Sequence, residues 1–509
     1  MPISRWMSGS ARRALDFLSH RRSDPAQTSR STAPSASRSV PLALPALGPN
    51  VRVNDPAGDG IGDQDMTTQS EPSIAVSGQN IVVGYNDDGK SSLFYKAADD
   101  LTGYSWSHDG GATWHDAQLP NPYPGVNVGD PVVAADPAGN FYFASLEVDD
   151  VKRGLAVAVA RSTDGGVTFS TPKPVSIHTG ISFTNRTFRE VDADKPWLTV
   201  GPDPKDPSHS LIYASWTEFF AIFSRHRGRV GSRIMVSSSA DLGHTWSNPR
   251  AADRERSFDR KKHRGQFVSG SNLTVGPRGR LYVAWERFLD PHRKYTYPLR
   301  QERIATSVNA GRWFSRGKRV ASPGHVGRIA APLACSNTLW FGRSRLVRVQ
   351  EFPVLGTGPG GDVYMAYNGA NASGDPYIHV ARSMDFGTTW SKQKVSRRGA
   401  FMPAIGADAT GVDVMYYQRV GSTQLQVLMA RSADGANYAR TAVSSTTFGV
   451  PFTLPPFDPF IAPCYMGDYN GAYRTNGVTY AAWGDNRDTV INPFWPSGRI
   501  DPNVYFSKG

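Results

Sequence analysis

From about residue 70 to the C-terminus, apolar and polar positions alternate in short runs, and the runs come in pairs. Alternation over four to eight residues, bounded by Gly, Pro, Asn or Asp, predicts a β-strand with one buried face. The first pair is Pro72–Val76 with Asn80–Tyr85, and the second is Pro131–Ala135 with Phe141–Ser145 across the turn Asp136–Gly139. Pro196–Val200 with Leu211–Trp216 and Asn272–Val275 with Leu281–Trp285 follow. The last three are Pro353–Leu355 with Val363–Tyr367, Pro403–Ala407 with Val412–Tyr417, and Tyr469–Ala472 with Val478–Trp483.

A second pattern sets the phase of these pairs. The form S-x-D-x-G-x-T-[W/F] occurs at Ser107–Trp114, Ser162–Phe169, Ser239–Trp246 and Ser383–Trp390, with copies one residue shorter at Ser307–Trp313 and Ser432–Tyr438. The chemistry is that of a tight turn. The Asp accepts hydrogen bonds from backbone N–H groups further on, Ser and Thr hydroxyls brace the loop, and Gly takes a positive φ. A turn repeated six times is architecture before it is a catalytic site. It resembles the Asp box of sialidases and other Asp-box β-propellers.

That resemblance and the strand pairs predict an all-β chain, a β-propeller of four-stranded blades, seven in number with six as the alternative. The seventh unit ends at Ser507-Lys-Gly509 and has three strands of its own, so Asn50–Asn54 is expected to supply the fourth. Residues 1–49, rich in Ser, Pro, Ala and Arg, read as a disordered tail, and 50–509 as the propeller. The net charge is +12, and residues 1–50 carry seven Arg against two Asp. A second basic cluster, between Arg225 and Arg264, reads either as a polyanion patch or as a solvated loop between blades. The acids interleaved with it favour the loop, so no nucleic-acid partner is expected. No run of 18 apolar residues suits a membrane span. Residues 1–22 lack the continuous apolar core of a signal peptide, although the resemblance implies a secreted or cell-surface protein. Cys335 and Cys464 fall in loops on one face and allow one disulfide.

In a propeller blade the first strand starts and the second strand ends on the face opposite these turns. Glu71, Asp130, Asp194, Glu351 and Asp468 stand before first strands. Asp87, Glu147, Glu218, Glu286, Arg287, Arg419, Asp485 and Arg487 stand after second strands, with Trp216, Trp285, Tyr417, Tyr469 and Trp483 nearby. So many carboxylates near one axis need a cation, the arginines or a substrate to offset their repulsion. They serve either as a structural network or in sugar hydrolysis, which uses one acid to protonate the leaving oxygen and a second as base or nucleophile. The resemblance to sialidases implies a Tyr nucleophile activated by Glu and three arginines for the substrate carboxylate. It points to Asp130, Asp194, Glu218, Glu286 and Tyr469 as catalytic candidates. Glu71, Arg287, Arg419, Asp468, Trp483, Asp485 and Arg487 are the substrate-binding candidates. The place of the family's Phe/Tyr-Arg-Ile-Pro motif is held here by Gln69-Ser-Glu71-Pro72, which has no arginine. No cofactor or dedicated metal site is expected, although the oxygen atoms around Gly467-Asp468-Tyr469 suit Ca²⁺. The expectation is a monomeric glycoside hydrolase acting on a carbohydrate or glycoconjugate at the channel mouth. A non-catalytic propeller that binds glycan or protein there is the alternative.

Overall fold

The computed structural model describes residues 47–55, 68–87, 101–122, 125–149, 154–184, 187–224, 228–259, 264–290, 299–327, 338–341, 345–450, 464–492 and 495–509. Their strands form seven antiparallel blades. In chain order these are Gln69–Gln118, Val132–Pro174, Thr187–Asp259, Arg264–Ala321, Val354–Lys394, Ala400–Ala442, and Gly471–Lys508 joined by Val51–Arg52. The innermost strands touch in cyclic order, blade 7 closing on blade 1. Together they enclose a central channel of about 290 Å³. The count is seven, and the six-bladed alternative falls.

The hydrophobic core is divided in the same way. Seven clusters of buried side chains lie between successive blades, from Val76, Val83 and Phe506 between blades 7 and 1 to Met415, Trp483 and Tyr505 between blades 6 and 7. This follows from strand alternation: each blade is apolar on both faces, so each must be covered by a neighbour. The aromatic residues that end second strands point into these interfaces. Trp216, Trp285 and Trp483 are fully buried there, not displayed at the mouth.

The repeated turns are built as their chemistry requires. Ser107 Oγ donates to Asp109 Oδ1 at 2.7 Å, and the Gly111 N–H donates back to Ser107 Oγ at 2.9 Å. The Thr113 N–H and hydroxyl reach the Asp109 carboxylate at 2.9 and 2.6 Å. These donors hold the Asp109 carboxyl well below the usual carboxylate range, the Thr113 hydroxyl first among them. Asp164, Asp241 and Asp385 repeat the arrangement. Asn309 and Asp434 keep its serine bond in the shorter copies.

The ends of the chain close the ring as expected. Val51 pairs with Phe506 and Arg52 with Tyr505. Asn54 donates to Asn503 Oδ1 at 2.7 Å and accepts the Val504 N–H at 2.9 Å. The basic stretch expected as a loop between blades is different. Residues 250–259 and 264–275 are strands that pair at Phe258↔Gly265 and Asp259↔Arg264, a long hairpin joining blades 3 and 4. Arg260, Lys261, Lys262 and Cys335 lie outside the described residues. Cys464 is disulfide-bonded.

Candidate functional site at the channel mouth

One position recurs at the start of every inner strand. It lies two residues before Ser73, Val132, Trp197, Asn272, Val354, Ala404 and Gly471, the equivalent first ladder residues of the seven blades. Its occupants are Glu71, Asp130, Lys195, Gly270, Phe352, Met402 and Tyr469. Five of them have positive φ, namely Glu71 (54°), Asp130 (54°), Lys195 (57°), Gly270 (65°) and Met402 (57°). In blades 1, 3, 4 and 6 the ladder register shifts at this point. A bulge of this kind re-aims one side chain, here toward the axis. Backbone held in sparsely populated conformations concentrates where a site needs it.

The side chains so aimed form one buried charged cluster. Glu71 Oε1 accepts the Tyr465 hydroxyl and, at 3.0 Å, the Asp468 N–H, while Oε2 accepts Asn86 Nδ2 at 3.1 Å. Lys195 Nζ stands 3.8 Å from Glu71 Oε1 and 4.0 Å from Asp468 Oδ2. It also lies 3.8 Å above the Tyr469 ring and 5.4 Å from the Phe352 ring, a cation–π contact out of water. Arg348 Nη2 pairs with Asp468 Oδ2 at 3.0 Å. The Asp130 N–H donates to Asn86 Oδ1 at 2.9 Å, tying blade 2 to blade 1. Burial pushes the Glu71 carboxyl up; Lys195 opposes this and the Asp130 carboxylate adds to it. Burial, then the negative field of Glu71 and Asp130, pushes the Tyr469 phenol far up, and its hydroxyl donates to the Pro131 carbonyl at 2.8 Å. Beside Lys195, Asp468 and Tyr469 lies a cavity of about 20 Å³, the room of one water molecule.

Of the residues expected from sequence, Glu71, Asp130, Asp468 and Tyr469 meet here. Asp194 is next to Lys195, buried and opposite Thr217 in the blade 3 ladder. The others lie apart from the cluster. Glu218 pairs with Arg233 inside blade 3. Glu286 belongs to a second buried cluster between blades 4 and 5, where Arg300 Nε meets its carboxylate at 2.8 Å and also pairs with Glu302 and Glu351. His325 Nδ1 completes that cluster, 2.7 Å from Glu351 Oε2. Burial there pushes Glu286 up to about 7 against the pull of Arg300. Arg287 bonds Gln266 within blade 4. Arg419 is exposed over the Phe341 ring, donating to the Trp340 and Gly421 carbonyls.

Trp483, Asp485 and Arg487 form a clamp on the closing blade. The Trp483 indole N–H and Arg487 Nη2 both donate to Asp485 Oδ2, at 2.7 and 2.6 Å. Arg487 then reaches Asn50 Oδ1 at 3.1 Å. Sequence reasoning missed Lys195, Arg348 and Tyr465. The signal for Lys195 was the recurrent x-Pro doublet in Glu71-Pro72, Asp130-Pro131, Lys195-Pro196, Phe352-Pro353 and Met402-Pro403. Among the described residues, no group of three or more His, Cys, Asp and Glu side chains is arranged to hold a metal ion.

Among solved structures, the chain is similar to the phage phi92 endosialidase at 9% identity and a TM-score of 0.45, covering 91% of this chain and 68% of that one. It is similar to the Penicillium chrysogenum α-L-arabinanase at 13% identity and a TM-score of 0.43, covering 81% and 100%. It is similar to the Trypanosoma rangeli sialidase at 12% identity and a TM-score of 0.42, covering 91% of this chain and 58% of that protein. No family model and no curated protein matches the chain. Identities this low leave substrate and chemistry to be argued from the residues at the mouth.

Proposed function

We propose that this propeller hydrolyses a glycosidic bond at the axial cluster, in the manner of a sialidase-like glycoside hydrolase. The observation that carries the reading is the hydrogen bond from the Tyr465 hydroxyl to Glu71 in a buried site. A nucleophile within reach of a base, itself oriented by further donors, is the arrangement that activates a weak nucleophile. Here Asn86 and the Asp468 N–H orient the base. The raised pKa of Glu71 makes it a stronger base than a solvated glutamate. Tyr465 Oη attacks the anomeric carbon as its proton passes to Glu71, and Asp130, protonated as the step begins, gives its proton to the departing oxygen and takes one back from the water of the next step. Water then releases the sugar from Tyr465. Lys195 and Arg348 supply positive charge suited to an acidic sugar.

A second reading is favoured by burial, since Glu71, Asp130, Lys195, Asp468 and Tyr469 are all at most 5% exposed. In that reading the cluster locks the blades together, and the mouth binds glycan without turnover. A panel of aryl glycosides that includes the α-sialoside separates the two. The wild type turns over at least one substrate, and Tyr465→Phe and Glu71→Gln each lower kcat by about a hundredfold or more while glycan binding persists. Absence of turnover on the whole panel, with glycan binding intact, selects the second reading.

A further inference from the structure

The six repeated turns share a backbone but not a surface. Their fourth residue is left-handed in every copy, Gly110, Gly165 and Gly435 at φ 72°, 77° and 68°, and Leu242, Ala310 and Phe386 at 58°, 61° and 59°. A Cβ at such a φ crowds the next carbonyl, so glycine fits with least strain and a bulky residue is an outlier. Blades 1, 2 and 6 use glycine. The three consecutive blades 3, 4 and 5 do not: Ala310 packs against the core between blades 3 and 4, while the larger Leu242 and Phe386 stay largely in solvent. Leu242 is 38% and Phe386 53% exposed. In the same turns Val308, Trp313 and Met384 are 53%, 67% and 72% exposed. Where Val308 and Met384 stand, the glycine turns carry His108, Thr163 and Ala433.

These side chains form one rim. Ser238 Oγ of blade 3 donates to the Ala310 carbonyl of blade 4 at 3.0 Å. The Arg280 guanidinium of blade 4 lies 5.1 Å over the Phe386 ring of blade 5. Arg278, Arg312 and Arg316 of blade 4 are exposed. The anionic Asp241 and Asp385 are turned inward onto the Thr245 and Thr389 N–H and hydroxyl groups, and on the adjoining turn of blade 3 Asp203 accepts the Lys205 N–H and Asp206 meets Ser208 and His209.

We propose that the rim of blades 3–5 docks on an anionic lipid surface, its apolar tips entering the interface and its arginines meeting the headgroups. The side-chain chemistry favours lipid over a polyanion in water. Leu242, Val308 and Met384 have no ring to stack on a base or sugar and no hydrogen bond to offer, whereas an interface takes aliphatic tips and places Trp at headgroup depth. The turns lie on the face opposite the mouth, so a docked chain holds its channel mouth away from the lipid.

The test is flotation of the full chain with phosphatidylcholine vesicles, with and without phosphatidylserine. It compares wild type with a variant combining Leu242→Gly, Trp313→Ser, Met384→Ser and Phe386→Gly. Wild type partitions to the anionic vesicles, and the variant's partition coefficient is about tenfold lower or less. The two glycines suit the backbone, so the variant melts no lower than wild type and a folding defect does not mimic the result. The arginines of residues 1–46 are present in both proteins, so only the difference between them reports on the rim. Equal partitioning of the two proteins overturns the proposal, as does failure of the wild type to bind anionic vesicles. Concentration-dependent self-association lost in the variant, with no vesicle binding, overturns it too and assigns the rim to a second copy of the chain.

Discussion

Asp192 shows what burial costs a single carboxyl. It sits in the inner strand of blade 3, 1% exposed, with Oδ1 accepting the Leu155 N–H of blade 2 at 3.0 Å. Burial pushes its pKa up to about 7, the Leu155 N–H opposes the rise, and Glu190 adds to it. A carboxyl with a folded pKa above its unfolded value favours the fold while protonated. That contribution is fully present below 3.8 and is lost as pH rises through about 7. Asp192→Asn keeps an acceptor for Leu155 and removes the charge. The variant should match wild type near pH 4 and exceed it at pH 8 by at most about 4 kcal/mol, the scale of a three-unit shift. Urea unfolding at both pH values checks this, and equal stability at pH 8 would show that Asp192 is solvated. Glu71 follows the same direction, but its contact with Lys195 makes its charge part of a pair.

Between elements, the Arg300 cluster ties blade 4 to blade 5. Beyond its three carboxylates, the guanidinium donates to the Gly324, Glu351 and Asn368 carbonyls. Removing one partner of a buried ion network leaves the rest uncompensated. Arg300→Met should therefore cost about 3–5 kcal/mol at pH 8. Without the cation the glutamates bind protons more tightly in the fold, so the deficit should shrink as pH falls toward 5. A loss of stability independent of pH would mean that packing, not charge, is what Arg300 supplies. This cluster also marks where sequence reading stops. Alternation located the strand pairs, and the S-x-D turns set the phase of six blades, because both signals are local. Which side chains meet across blades is not local. Glu286 and Asp130 look alike in sequence, each beside the end of a strand, yet one faces Arg300 between blades and the other faces the axis. Lys195 reaches the axis from blade 3, Arg348 from the strand Arg345–Arg348 that precedes blade 5, and Tyr465 from the approach to blade 7, so no spacing along the chain brings them together. The buried Trp216, Trp285 and Trp483 were misplaced at the mouth because an aromatic residue at a strand end reads the same whether it faces solvent or the next blade.

At the scale of the molecule, a ring of blades is only as stable as its closure. Here the closure joins residues more than four hundred positions apart: Val51–Arg52 completes blade 7, and Asn54 binds both Asn503 and the Val504 N–H. Lys508 Nζ in turn donates to the Gly110 carbonyl of blade 1 at 2.6 Å. Without the N-terminal strand, the strand Trp495–Lys508 becomes an open edge with unpaired backbone groups. A chain beginning at residue 47 keeps every one of these contacts and should melt with the full-length protein. A chain beginning at residue 56 should melt lower and aggregate on heating through the exposed edge. Asn54→Ala tests the same closure more gently, leaving the buried Val504 N–H without its acceptor at a cost of about 1–3 kcal/mol. Scanning calorimetry of these three variants beside the 509-residue chain decides the matter. If the chain from residue 56 melts with the full-length protein, the ring is held shut by the contacts between blades 7 and 1, among them Val76, Ile81 and Phe506, and the shared blade is dispensable.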